Sequence, residues 1–535
     1  MCGWKTSWRR PAAALALVLA CTGCTRHAAP SAGGAGLRLS QRNEPATLDP
    51  QLATLPDEFF ILRALDEGLL VPDPAGGPPL PGAAESWELS ADGLTYTFQL
   101  RVGARWSDGD PVTAADFVTS IRRALSPALA APKAALFFPL RHARDFASGR
   151  ERDFAQVGAR ALDDRRLALT LEAPCAEFPA IVASGPWLPI HAPTITGHGA
   201  LDQRGTAWTQ PGNFAGNGPF VLADWRPNEV ITVRRNPAYH DAAHVQVPEI
   251  RFVAFDNGDT EERAFRAGQI DVTMAVPVSK LATYRAETPS RLHSAPLYET
   301  RYLALNPARP PLNDRRVRRA LSLALDRAAL AEKVLRGGQR PAYQFLPAGL
   351  GGYTPDARLG EDPAEARQLL AAAGFPGGRG FPRLELSSWT TTPELLEALQ
   401  DTWRRELGIE LVVAQREART HLAALVAGDF AIALATAIPD YDGASDLLGA
   451  LTTGDPGNYP RFADPAFDQL VAAGRQVADP AQRQTTYRRA EQELLEQLPL
   501  IPLYFNSRNF LVQPGVKGWR TDPLWTRFYR DLTLE

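Results

Sequence analysis

The sequence predicts a mixed α and β fold spread over about three domains. Three observations carry this reading. The chain has 535 residues, of which 45% are hydrophobic, enough for several cores. Segments with the two-residue period of strands alternate irregularly with segments that carry helix caps. No repeat, coiled-coil register or extended low-complexity tract suggests another architecture.

The elements follow in order. In residues 95–101, Tyr96, Phe98 and Leu100 alternate with Thr95, Thr97 and Gln99, the pattern of a half-buried strand. Residues 167–171 and 231–233 are further strand candidates. Asn313 or Asp314 precedes Val317, Ala320, Leu321, Ala324 and Leu325 at helical spacing, and the stop signal is Gly337-Gly338. Asp362-Pro363-Ala364-Glu365 combines an N-cap, a proline at the first helical position and a glutamate two residues later, with Gly374 as terminator. Residues 384–386 and 411–413 are strand candidates. Asp479-Pro480 opens a last helix carrying Tyr487, Ala490, Leu494 and Leu495.

Charge and composition narrow the function. The 57 basic and 60 acidic residues leave a formal charge of −3, without the basic excess that a nucleic-acid binder uses to displace counterions. Only five of the basic residues are lysines, at positions 5, 133, 280, 333 and 517.

The N-terminus reads as an export address. Lys5, Arg9 and Arg10 precede nine apolar residues, 12–20, ending in small residues and Cys21. That run is well short of the roughly 20 residues needed to span a bilayer. Residues 1–20 are therefore a signal peptide. Leu17 to Cys21 resembles the lipobox, in which cleavage before a cysteine exposes it for acylation. Cys21 is the expected lipid acceptor, with Cys24 as the alternative, and the Ala, Gly, Pro and Ser-rich residues 21–36 are a flexible stalk. Beyond them the mature chain has only Cys175, so no internal disulfide is available to its globular part.

The sequence carries no recognisable catalytic motif, although its 60 acidic residues leave a glycosidase-type carboxylate pair open. The histidines are scattered, and His240 and His244 share helical spacing without an HExxH arrangement. No GxSxG elbow occurs. The glycines at 216 and 218, and at 349, 351 and 352, lack the lysine of a phosphate loop and the strand-turn-helix setting of a dinucleotide site.

Several longer stretches are informative together: Asn43-Glu44-Pro45-Ala46-Thr47-Leu48-Asp49-Pro50, Pro81-Gly82-Ala83-Ala84-Glu85-Ser86-Trp87, residues 92–101, Trp106-Ser107-Asp108-Gly109-Asp110-Pro111-Val112-Thr113, Asn217-Gly218-Pro219-Phe220 and residues 312–321. With these, the sequence closely resembles the peptide- and nickel-binding family (family 5) of ABC-transporter solute-binding proteins, most of all its oligopeptide-binding branch, over essentially the whole mature chain. Most of these residues read as structural: Trp87, Phe98, Trp106 and Phe117 as core, and Asp108 to Thr113 as a turn leading into a helix.

The resemblance implies a two-lobed, periplasmic-binding-protein-like α/β fold with an additional subdomain. Residues 37–56, 181–292 and 508–535 would form lobe I, 57–180 the extra subdomain and 293–507 lobe II. It implies capture of short peptides in the interlobe cleft and delivery to an inner-membrane permease with its ATPases. It implies no enzyme activity, cofactor or metal, and a monomer in the periplasm or cell envelope, tethered by its lipid. The alternatives are the same fold with another solute, with murein peptide, or as a receptor without a dedicated permease. A secreted hydrolase or chaperone is a third class.

The resemblance also nominates site residues. Ala437-Ile438-Pro439-Asp440-Tyr441-Asp442 resembles the family's aspartate-tyrosine motif, so Asp440 would pair with the α-ammonium of a peptide beside Tyr441. The chemistry is apt, because a carboxylate can offset the hydration an ammonium loses in a closed cleft. Glu44 matches an acidic cleft position and Arg309 a basic one. The sequence departs from the oligopeptide-binding branch at Leu434 and Leu425, where arginines that answer a peptide C-terminus would sit, and at Ala418, where a tryptophan would. Arg416 and Arg419 lie nearby as substitutes.

Overall fold

The computed structural model describes residues 36–389 and 393–535. The signal peptide, Cys21, Cys24 and the stalk through residue 35 lie outside the described residues. No described helix is long and apolar enough to cross a membrane.

The alternating segment at 95–101 is the strand Thr95–Leu100, with Tyr96, Phe98 and Leu100 buried. It lies inside a four-stranded antiparallel sheet ordered Ala84–Leu89, Thr95–Leu100, Arg166–Thr170, Ala159–Ala161. The helix Ala114–Ala124 starts where expected. The Asp116 carboxylate accepts from the Thr113 backbone N–H at 2.7 Å and its hydroxyl at 2.9 Å. Phe98, Trp106, Phe117 and Phe178 fill the core of this subdomain. Burying each ring contributes a few kcal/mol, so the quoted motif there is mainly a packing signal.

A second four-stranded sheet runs Leu37–Gln41, Glu249–Ala254, Val230–Arg235, Phe220–Arg226; its first pair is parallel and the others antiparallel. Two motifs seat it against the subdomain. Arg123, 1% exposed, donates to Asp49 Oδ1 at 2.9 Å and Oδ2 at 2.5 Å, and to Gln51. Asn217 exchanges two 2.9 Å hydrogen bonds with the Glu67 backbone. Its neighbour Gly218 passes so close that a Cβ there would lie 2.6 Å from Asp66 N.

The third sheet has six strands in the order Arg340–Pro341, Leu500–Leu511, Leu292–Leu305, Ile432–Ala437, Leu384–Ser388, Leu411–Gln415. One face buries Leu321, Leu370 and Trp403 from the helices Arg315–Leu323, Pro363–Ala372 and Pro393–Leu407. The other buries Leu448, Phe467, Tyr487 and Leu494 from Ala444–Gly449, Pro465–Gln476 and Pro480–Gln497. Asp362 and Asp479 cap their helices as the sequence predicts.

One expectation is corrected. The helical pattern from Asp314 does not run to Gly337. It ends at Leu323, and Asp326 caps a new turn by accepting from Ala329 N at 2.8 Å. The buried Arg327 holds this break against the sheet by donating to Pro502 O at 2.8 Å.

Two strands join the lobes. Leu292–Leu305 and Leu500–Leu511 pair antiparallel from Leu292↔Leu511 to Ala304↔Leu500, with an irregularity between Pro296 and Thr300. Ile501 and Leu503 lie in the core of the six-stranded sheet, while Phe510 and Val512 lie in the core that holds Leu39. The chain thus passes between lobes on a two-stranded ribbon.

Candidate functional site

Where the lobes and the subdomain face one another they enclose a cavity of about 530 Å³, within the range of small-ligand sites. Its wall draws on separate parts of the chain, among them Phe59 and Arg63, Lys133, Glu177 and Ser184, Tyr298, Asp440 to Asp442, and Asp522 to Thr526.

Asp440 follows directly from the local sequence. Strand Ile432–Ala437 leaves the middle of the sheet, Pro439 interrupts pairing, and the Asp440 backbone N–H donates to Asp446 in the first turn of Ala444–Gly449. Its side chain is 25% exposed. Both carboxylate oxygens accept from Lys133 Nζ at 2.8 Å. Burial alone would lower the Lys133 pKa; the Asp440 charge and hydrogen bond more than offset this and leave it raised. Asp446, partly exposed beside Asp440, is pushed up from 3.8 to about 8, first by burial and then by that neighbouring charge.

Tyr441 points the other way, into the subdomain core with Phe178 and Trp187. Its hydroxyl meets Ser445 Oγ at 2.8 Å, and Ser445 in turn donates to Glu177. Burial raises the pKa of both Tyr441 and Glu177. Tyr441 therefore locks the aspartate loop to the subdomain while lining the cavity.

The structure does not bring Glu44 and Arg309 to this cavity. Glu44 accepts from Trp225 Nε1 at 2.7 Å and Asn228 N at 2.9 Å, clamping the hairpin of Phe220–Arg226 and Val230–Arg235. Arg309 pairs with Asp429 at 3.3 Å on the surface, both more than half exposed. Their local surroundings use the charge for other purposes, which spacing along the chain does not register. Arg416 is taken up by Glu385 at 2.7 Å. Leu434 and Leu425 are buried in cores, so no cation approaches the cavity from those positions.

Sequence reasoning missed Lys133, Arg63, Glu177 and Asp522, which belong to no motif it recognised. Arg63 donates to Ala183 O at 3.1 Å, and burial, partly offset by Asp522, lowers its pKa to about 10. Ser184 and Trp525 also line the cavity, and their buried Oγ and Nε1 atoms have no hydrogen-bond partner within the described structure. Trp525 has φ +62°, a left-handed backbone that holds its ring in the wall at some cost in strain. The one group with metal-ligand geometry among the described residues is Asp108, Asp110 and His191, outside the cavity lining and with both aspartates exposed.

Comparison with known proteins places this geometry. Residues 78–459 match the model of bacterial extracellular solute-binding proteins, family 5. The chain is 33% identical over 492 residues to the probable deoxycholate-binding periplasmic protein YgiS of Escherichia coli, covering 90% of each. It is 32% identical over 507 residues to the periplasmic oligopeptide-binding protein OppA of the same organism, covering 92% of this chain and 91% of OppA. A structure of the E. coli murein tripeptide-binding protein MppA superimposes with TM-score 0.83 at 31% identity, covering 93% of this chain and 98% of MppA. An unliganded open form of MppA, also 31% identical and with 93% of this chain and 97% of its own covered, reaches only 0.74. With a match over most of its length and relatives related end to end, the chain belongs to the family 5 bacterial extracellular solute-binding proteins.

Proposed function

We propose that this chain is the exported solute-binding component of an ABC importer and that it captures short peptides between its lobes. The observation that carries the reading is the interlobe cavity with Asp440 in its wall, on a loop matching the family's aspartate-tyrosine segment. Asp440 supplies the negative charge at the end that receives the peptide's leading group, and Tyr441 holds the loop in place. The ribbon of Leu292–Leu305 and Leu500–Leu511 is the hinge between the divisions drawn from the sequence, with 37–56, 181–292 and 508–535 as lobe I, 57–180 as the subdomain and 293–507 as lobe II.

Ligand enters the open form, the lobes close on the ribbon and water is expelled, and the closed form docks on the permease. Peptide main chain is held by backbone groups in strand-like fashion, and side chains occupy wet pockets, which tolerates varied sequences. The protein acts as a monomeric carrier and catalyses nothing. Cys21 carries the lipid that tethers it to the envelope, with Cys24 as the alternative acceptor.

The test is mass spectrometry of small molecules released by denaturing the rapidly purified protein. Peptides of two to five residues are expected. A single non-peptide species would overturn the cargo assignment.

A further inference from the structure

The aspartate that faces a ligand's leading group is already occupied. Lys133 reaches it from the subdomain, 307 residues away in sequence, and its Nζ donates to both oxygens at 2.8 Å. Among the described residues no other side chain or backbone donor contacts the Asp440 carboxylate. Both partners line the cavity and keep about a quarter of their surface exposed, 28% for Lys133 and 25% for Asp440, so the pair sits where ligand arrives.

The charges around it leave little room for a second cation. The ionisable groups that face Lys133 are Asp440, Asp446 and Tyr459. Arg475 also bears on Asp446 from Pro465–Gln476. Lys133 and Asp440 cancel, so a peptide ammonium arriving at Asp440 would meet a lysine ammonium already bridging its acceptor. Like charges sharing one carboxylate repel, so the ammonium gains less there than it would from an unpaired Asp440. A neutral acyl carbonyl faces no such conflict. It can accept a hydrogen bond from Lys133 Nζ, which has no acceptor other than Asp440 among the described residues.

We propose that Lys133 is a specificity-determining residue, standing in for the ligand ammonium at Asp440 so that this end of the cavity accepts peptides with a neutral, acylated N-terminus as well as those with a free one. The proposal rests on the peptide-capture reading and refines it.

Calorimetric titration of the mature chain with trialanine and N-acetyl-trialanine tests it. In the wild type the two dissociation constants should fall within tenfold of each other. Lys133→Met should shift their ratio at least tenfold toward the free ammonium, by tightening trialanine, and adding Asp440→Asn should abolish that gain. If Lys133→Met does not fold, Lys133→Gln, which keeps a donor but no charge, carries the same comparison. A wild-type preference for trialanine above tenfold, a ratio moved less than tenfold by removing the lysine charge, or a gain that survives Asp440→Asn would overturn the proposal while leaving peptide capture intact. Failure of both peptides to bind the wild type and the variants alike would instead overturn the peptide reading, and this inference with it.

Discussion

Asp446 offers the sharpest link between the site and stability. It lies partly exposed beside Asp440 and accepts that residue's backbone N–H, and burial first, then the neighbouring Asp440 charge, pushes its pKa up from 3.8 to about 8. The unfolded chain releases this proton near pH 4 and the folded chain near pH 8. Between those values the folded state binds more protons, so stability falls as pH rises through the window and levels off above it. At 1.36 kcal/mol per pH unit the full effect would approach 6 kcal/mol. Local relaxation and the water that reaches this partly exposed group reduce it, and we expect about 2 kcal/mol.

Asp446→Asn keeps an oxygen to accept the Asp440 N–H and removes the ionisation. The variant should therefore match the wild type at pH 4.5 and exceed it by about 2 kcal/mol at pH 8.5. Urea unfolding at the two pH values, with linear extrapolation, measures the difference. A variant destabilised equally at both pH values would show that the carboxylate is needed for its hydrogen bond alone, and one less stable than wild type at pH 8.5 would reverse the sign and refute the reasoning.

Three further expectations follow from the same structure. Asp440→Asn leaves the Lys133 charge unanswered beside the peptide ammonium and should weaken trialanine about 10- to 100-fold by calorimetry while shifting stability by less than about 1 kcal/mol, because its pair with Lys133 is partly exposed; a large loss of stability with unchanged binding would make Asp440 structural. Arg123→Met strands the buried Asp49 carboxylate and should cost about 3–5 kcal/mol in urea unfolding, whereas a loss below about 1 kcal/mol would mean that water reaches the site. Metabolic palmitate labelling should disappear in Cys21→Ser and persist in Cys24→Ser, and the opposite pattern would move the acceptor to Cys24.

Local patterns determined much of this protein. The alternation at 95–101 defined a strand because every second side chain must face the same way in a pleated sheet. Asp362 and Asp479 defined helix starts because a helix leaves its first N–H groups without partners, whatever it packs against. The motif segments revealed the family, and the Pro439-Asp440-Tyr441 loop lines the cavity. The helical pattern from Asp314 misled because the apolar spacing continues past Asp326 although the backbone breaks there to let Arg327 reach Pro502. Periodicity reports which face is apolar and says nothing about a turn imposed by a distant strand.

Only the tertiary structure decided which charges meet. Arg123 finds Asp49 across 74 residues, Tyr441 packs in a core built by another part of the chain, and Lys133 bridges to Asp440 across 307. Glu44 and Arg309, nominated by resemblance, are drawn to Trp225, Asn228 and Asp429 instead. A charged side chain settles on whichever partner and degree of burial give it the lowest free energy after folding. In this chain those partners come from segments far apart in sequence, so the electrostatics of the cavity exist only once the lobes and the subdomain have come together.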